Sequence, residues 1–148
     1  MLAVVQRVTS ASVTTHAPQR TARIDAGLLV LACAMPDDTD HDVTWMANKI
    51  AGLRIFPDAD GRMNENVSTV GGQILLVSQF TLAGDCSKGF RPSFVKAAPP
   101  EAAKPLVDAL GHTLDSQHGL TVTTGVFGTH MTVDSVNDGP VTLVLQTP

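Results

Sequence analysis

Leu28-Leu29-Val30-Leu31-Ala32-Cys33 is an apolar run with no polar residue inside it. A strand with one wet face alternates polar and apolar residues, so a short unbroken run reads as a strand buried on both faces. Ile24-Asp25-Ala26-Gly27 just ahead of it reads as a turn. A strand covered on both faces needs a layer above and a layer below, and the rest of the chain must supply them.

Before this run, residues 1–8 and 10–15 are two β-rich segments, and residues 16–20 form a polar break. After it, Pro36-Asp37-Asp38-Thr39-Asp40 signals a helix start, because acids ahead of the first turn favour the positive end of the helix dipole. Val43, Met46, Ala47, Ile50 and Leu53 then recur at helical spacing and make one apolar face. Arg54-Ile55-Phe56 reads as a short strand and Asp58-Ala59-Asp60-Gly61 as a turn. Gly71-Gly72 opens a second apolar strand, residues 73–77, which runs straight into Ser78. A second helix is expected between Pro100 and Gln117, with Ala103, Leu106, Val107, Leu110 and Leu114 on its apolar face. Pro105 has no N–H to give, so this helix either begins near Lys104 or is kinked there. Strands follow over residues 120–127, 131–136 and 141–146. The reading is α/β: one domain over residues 1–148, with seven or eight strands and two helices. Two helices cannot cover both faces of so many strands. One sheet face must pack on another sheet or on a partner subunit.

Composition narrows the class. The longest apolar stretch, residues 27–35, is about nine residues against the roughly 20 a membrane helix needs. No basic residue precedes the apolar N-terminal residues, so the start of the chain does not read as a signal peptide. Cys33 and Cys86 are too few for a disulfide framework, which points to a reducing cytoplasm. A net charge of −4 provides no global basic field for duplex DNA, so any contact with nucleic acid has to be local. The five histidines show no zinc-type spacing, no phosphate-binding glycine loop or nucleophile elbow is present, and no metal or cofactor is expected.

Three segments bear on chemistry. Ser78-Gln79-Phe80-Thr81-Leu82 places hydrogen-bonding side chains and an aromatic ring where a buried strand ends. Backbone N–H groups leaving the ladder there can form an oxyanion hole, and Phe80 can stack on a base. Read alone, the segment is better taken as an ordinary strand end with polar residues. Asn137-Asp138-Gly139-Pro140 reads alone as a hairpin turn. Lys88-Gly89-Phe90-Arg91-Pro92-Ser93-Phe94-Val95-Lys96 carries cations and aromatics with no acid, which suits the phosphates and stacked bases of a single-stranded end. Its other reading is a solvated loop whose phenylalanines tuck into the core.

Taken together, these residues resemble the D-aminoacyl-tRNA deacylase family along essentially the whole chain. The match runs through Val5-Gln6-Arg7-Val8, Ala11-Ser12-Val13, Gly27-Leu28-Leu29-Val30, Arg54-Ile55-Phe56, Met63-Asn64, Ser78-Gln79-Phe80-Thr81-Leu82, Arg91-Pro92-Ser93-Phe94 and Asn137-Asp138-Gly139-Pro140-Val141-Thr142. The resemblance implies a compact three-layer β/β/α sandwich acting as a homodimer in the cytoplasm, with the 3′ end of an aminoacyl-tRNA as partner and neither DNA nor membrane. It implies hydrolysis of the ester of D-aminoacyl-tRNA, a proofreading reaction in translation, and of glycyl-tRNA mischarged on tRNA(Ala). Ser78, Gln79, Phe80 and Thr81 would form the catalytic segment. Gly139 and Pro140 would be a Gly-cisPro pair that enters the partner's pocket and excludes an L side chain. Arg7 and Met131 would support that pocket, and Lys88, Phe90, Arg91, Phe94 and Lys96 are candidates for tRNA contact. Gly84-Asp85-Cys86 and His130 are departures without an assigned role. The other readings are an editing deacylase for an L-aminoacyl-tRNA, a non-catalytic binder of aminoacyl-tRNA ends, and a conventional Ser/Thr esterase with Thr81 as nucleophile.

Overall fold

A computed structural model describes residues 1–148. The strands are β1 (Leu2–His16), β2 (Gln19–Ile24), β3 (Gly27–Cys33), β4 (Phe56–Pro57), β5 (Met63–Glu65), β6 (Gln73–Ser78), β7 (Val122–Thr124) and β8 (Met131–Gln146). The helices are α1 (Asp40–Gly52) and α2 (Pro100–Ser116), with a short 3-10 turn at Phe80–Ala83. No helix is long and apolar enough to cross a membrane.

The long strand β1 organises the sheet. Along one edge it pairs first with β3, through residues 2–8, and then with β2, through residues 11–16. Along its other edge it pairs antiparallel with β8 over nearly its whole length. β3, β6 and β7 are mutually parallel, and parallel neighbours need long crossovers. The segment containing α1 joins β3 to β6, and the segment containing α2 joins β6 to β7.

β3 is the doubly covered strand that its sequence announces. Leu28, Val30 and Ala32 face a core shared with the helices, where Met46, Ile50, Leu110 and Leu114 are fully enclosed. Leu29 faces a second, smaller core with Leu75 and Val77 on one side and Val8, Ala11, Val13 and Ile24 on the other. The second core lies between two parts of the same sheet. Register shifts between Gln6 and Ser10 let β1 bend, and β2 then packs across β6 and β7. The three β/β/α layers are therefore the folded sheet plus the helix pair.

Several expected boundaries move. Residues 1–8 and 10–15 are one strand, because a bulge bends β1 without ending it. α2 begins at Pro100, not near Lys104: Pro99 accepts from the N–H groups of Ala102 and Ala103, and Pro105 lies inside the helix. The short strand after α1 is Phe56–Pro57, not 54–56, and β7 is shorter than 120–127.

The hairpin reading of Asn137-Asp138-Gly139-Pro140 is also overturned, since these residues lie inside β8. Thr142 pairs with Gln6 and Asn137 pairs with Val8, so residues 138–141 stand opposite the single residue Arg7. Glycine and proline punctuate bulges as well as turns. Here they make a wide bulge, and the chain continues in its original direction.

Candidate active site

The parallel strands β3 and β6 end side by side, with Ala32 in register with Ser78. Side chains beyond the carboxyl ends of parallel strands are not committed to the ladder, and clefts form there. A cavity of about 690 Å³ opens at this edge. Its floor is Ala32, Cys33, Val77, Ser78 and Gln79. Ala103 and Val107 of α2 contribute one part of the wall, and Phe127 to Met131 contribute another. The lining is mostly apolar, with few polar groups, which suits a ligand that is largely apolar and is oriented by a small number of hydrogen bonds.

The catalytic candidates divide around the cavity. Ser78, Gln79 and Phe80 line it. The Gln79 N–H still donates to Ala32 O at 2.7 Å, so the ladder holds up to this residue. The next residues start the 3-10 turn, whose first N–H groups have no acceptor within the turn. Thr81 is exposed and is not among the lining residues; its hydroxyl accepts from Gln79 Nε2. Phe80 is 57% exposed and meets Phe94 edge-on at 5.2 Å, so the two rings form one aromatic rim. Gly84 makes this contact possible, because a Cβ there would lie 3.0 Å from the Phe94 ring and 2.9 Å from Thr81 O. The Cys33 thiol lies against the floor, with Sγ 3.7 Å from Phe80 O, and burial raises its pKa.

The basic segment 88–96 stands beside this rim. The Asp85–Ser93 backbone pair, at 2.8 and 2.9 Å, closes the loop that carries most of it. The Asp85 carboxylate accepts from Ser87 N–H at 2.9 Å and pairs with Lys96 at 3.0 Å, and these contacts hold it well below the usual carboxylate range. Lys88 and Arg91 are exposed and form no ion pair. Phe90 is fully exposed, whereas Phe94 is half-buried in the cavity lining. The loop thus presents one ring to solvent and folds the other inward.

The Gly139-Pro140 pair lies elsewhere. It is exposed on the β8 bulge and does not line its own chain's cavity. The Gly139–Pro140 bond is cis, and so is Ala17–Pro18. Buried Arg7 holds the bulge from below: its Nε lies 2.9 Å from Asp138 Oδ2 and 3.3 Å from Asp138 O, and Nη1 donates to Ile55 O. Met131 does line the cavity, and its sulfur occupies the space that a Cβ on Gly125 would need, at 2.7 Å.

The wall from Phe127 to Thr129 was not named from sequence. It is a turn after a strand end with no periodicity to mark it, and only its place in the same lining as Ser78 makes it part of the cavity. No group of three His, Cys, Asp or Glu side chains converges anywhere in the chain.

Comparison with known proteins gives a consistent result. The profile of the D-Tyr-tRNA(Tyr) deacylase family matches residues 4–146. A D-aminoacyl-tRNA deacylase of Chlorobaculum parvum is 51% identical over 148 residues, covering 100% of this chain and 99% of the relative. One from Desulfitobacterium hafniense is 55% identical over 145 residues, covering 98% and 96%. Among solved structures, a c-Myc DNA unwinding element binding protein superposes with a TM-score of 0.91 at 39% identity, covering 100% of this chain and 99% of the other. A probable eukaryotic D-amino acid tRNA deacylase superposes at 0.85 with 16% identity, covering 97% of each chain, a likeness of fold.

Proposed function

Because this chain belongs to the D-Tyr-tRNA(Tyr) deacylase family, we propose that it hydrolyses the ester bond of D-aminoacyl-tRNA, releasing the D-amino acid and free tRNA. The observation that carries the proposal is the cavity at the ends of β3 and β6, which takes Ser78, Gln79 and Phe80 into its lining beside a basic, aromatic loop. The cavity receives the aminoacylated end. Residues 88–96 hold the phosphates and bases that lead to it.

An aminoacyl ester is already activated, so positioning and polarisation of its carbonyl do most of the work. The N–H groups that open the 3-10 turn at Phe80 and Thr81 polarise the carbonyl, and the Ser78 and Thr81 hydroxyls position substrate and water. The terminal adenosine's 2′-hydroxyl, which the substrate itself carries, assists proton transfer. The only side-chain hydrogen bond to Thr81 comes from the Gln79 amide, which is not a base, so a nucleophilic Thr81 has no activating partner.

Selectivity follows from a second copy of the chain. Gly139 and Pro140 project from a bulge anchored by Arg7 and lie outside their own cavity. In a homodimer the pair enters the partner's cavity, holds the substrate's amino group with main-chain atoms and leaves no room for an L side chain. Met131 backs the same wall. Glycine has no side chain to exclude, so glycyl-tRNA mischarged on tRNA(Ala) is also a substrate.

Deacylation assays on matched D-, L- and glycyl-tRNAs test each step. Hydrolysis of the D and glycyl forms with sparing of the L form is expected. Equal rates on D and L forms would remove the exclusion step. Hydrolysis of the L form alone would make the chain a different editing enzyme, and binding without hydrolysis would make it a carrier.

A further inference from the structure

His16 is the last residue of β1, and His130 immediately precedes β8. The fold brings them together, with ring centroids 5.3 Å apart and ring planes inclined by 36°. Two imidazoles on one tetrahedral ion, each nitrogen about 2.0–2.1 Å from the metal, have centroids separated by about 5.2 Å. The observed centroid spacing matches that of a bridged pair.

The surroundings fit the same use. His16 Nε2 lies 2.9 Å from Thr132 Oγ1. When Nε2 donates to that hydroxyl, the lone pair rests on Nδ1, and a partner of this kind is what orients a ligating histidine. No ion pair in the chain involves a histidine, so neither ring is claimed by a carboxylate. Both residues are exposed, and an ion can reach them without opening the core.

We propose that His16 and His130 form a reversible site for a borderline divalent cation of the zinc, nickel or cobalt type, and that its occupation slows the reaction in the adjoining cavity. Two imidazole nitrogens come from the protein and no third strong ligand converges, so water completes the shell and the ion exchanges readily. Gly128, Thr129, His130 and Met131 all line the cavity. Met131 is already paired with Thr15 of β1, so an ion bridging His130 to His16 fixes the preceding turn, residues 127–130, against β1 and restricts entry of the substrate. The inhibitory step rests on the deacylase reading; the metal site does not.

Calorimetric titration with Ni2+ alone tests the site on the full chain at neutral pH, in a Cys86→Ser background that removes the exposed thiol. One equivalent should bind. His16→Ala and His130→Ala should each weaken binding at least tenfold, and His112→Ala, on the exposed side of α2, should leave it unchanged. Binding that survives both single substitutions, or that is lost with His112→Ala, overturns the site. In the second arm, Ni2+ should slow deacylation severalfold in the parent and not in His16→Ala, whose rate without metal should match the parent's. Ni2+ that binds without slowing hydrolysis overturns the coupling to the cavity. If no form hydrolyses D-aminoacyl-tRNA, the failure belongs to the proposed function, and the calorimetry still decides the site.

Discussion

Gly139 has no room for a side chain and a backbone that disfavours one. Its φ is +120°, and an added Cβ would sit 2.9 Å from Val141 Cγ2 and 3.2 Å from Arg7 Nη2. A non-glycine residue in such a region costs on the order of 1–3 kcal/mol, and relieving the contact means shifting the bulge that Arg7 anchors. Gly139→Ala is therefore expected to lower stability by that order in denaturant titrations. It should also slow hydrolysis of D-aminoacyl-tRNA by about 100-fold, the scale of a misplacement near 1 Å. Parent-like single-turnover rates would remove Gly139 from the site. Phe90 makes the complementary case, because it is fully exposed and its loss disturbs no core. Base–aromatic stacking is worth about 1–3 kcal/mol, so Phe90→Ala should weaken tRNA binding by roughly 5- to 150-fold with the single-turnover rate at saturation unchanged. An unaltered affinity would leave that ring without a role. At this scale the sequence identified residue types better than placements. Ser78 and Phe94 reach the cavity, whereas Thr81 lies outside the lining. Adjacent residues at a strand end look equivalent in sequence until the 3-10 turn sends their side chains in different directions.

Loop 85–96 is held by a carboxylate, which makes its order pH-dependent in a defined direction. Asp85 has a folded pKa below its ordinary value, chiefly through hydrogen bonds from Ser87 and then through Lys96. Its contribution is complete above the unfolded value of about 3.9 and is lost as pH falls through the folded one. Amide exchange at Ser87 and Ser93, corrected for intrinsic rates, should therefore show the same protection at pH 7 and pH 5. Asp85→Asn should lose protection severalfold at both values and weaken tRNA binding with it. Loss of protection in the parent between pH 7 and pH 5 would mean that another group holds the loop. Asp42 at the start of α1 follows the same sign, since its carboxylate accepts from Thr39 N–H at 2.9 Å and its pKa is lowered. Elements were legible where periodicity is sustained, as in β3, β6 and α1. They were misread where one residue type serves two geometries. Asn137-Asp138-Gly139-Pro140 carries every local mark of a turn, and only the pairing of Thr142 with Gln6 and of Asn137 with Val8 makes it a bulge. Pro105 is a similar case, because the helix starts upstream at Pro100 and continues past it.

The whole molecule leaves one apolar surface uncovered, and its position argues for a second copy. Leu31 of β3, Val4 of β1 and Val144 of β8 are in register across three neighbouring strands. Leu31 packs at the margin of the second core but is only partly buried, as is Val4, and Val144 is 76% exposed, so cover over this patch of sheet is incomplete. Val136, farther along β8, is 57% exposed. The ratio of strands to helices already required a sheet face to find its cover in another sheet or in a partner subunit. The folded sheet supplies the first cover through the core around Leu29 and Val77, and this patch remains for the second. A self-complementary sheet face is a common basis for a two-fold dimer. Burying a valine side chain contributes about 1.5 kcal/mol or more, and two-fold symmetry counts each contact twice. Val144→Lys places two cations in the interface and should convert a dimer into a monomer in sedimentation equilibrium. The monomer should keep its secondary structure, because Val144 lies outside both cores. If the proposed shared site is right, D-aminoacyl-tRNA hydrolysis should fall in step with the dimer fraction, since each cavity would then lose its partner's Gly139-Pro140 pair. A monomeric variant that still hydrolyses D-aminoacyl-tRNA and still spares the L form would refute the shared site, and selectivity would then have to arise from the Phe127–Met131 wall of the same chain.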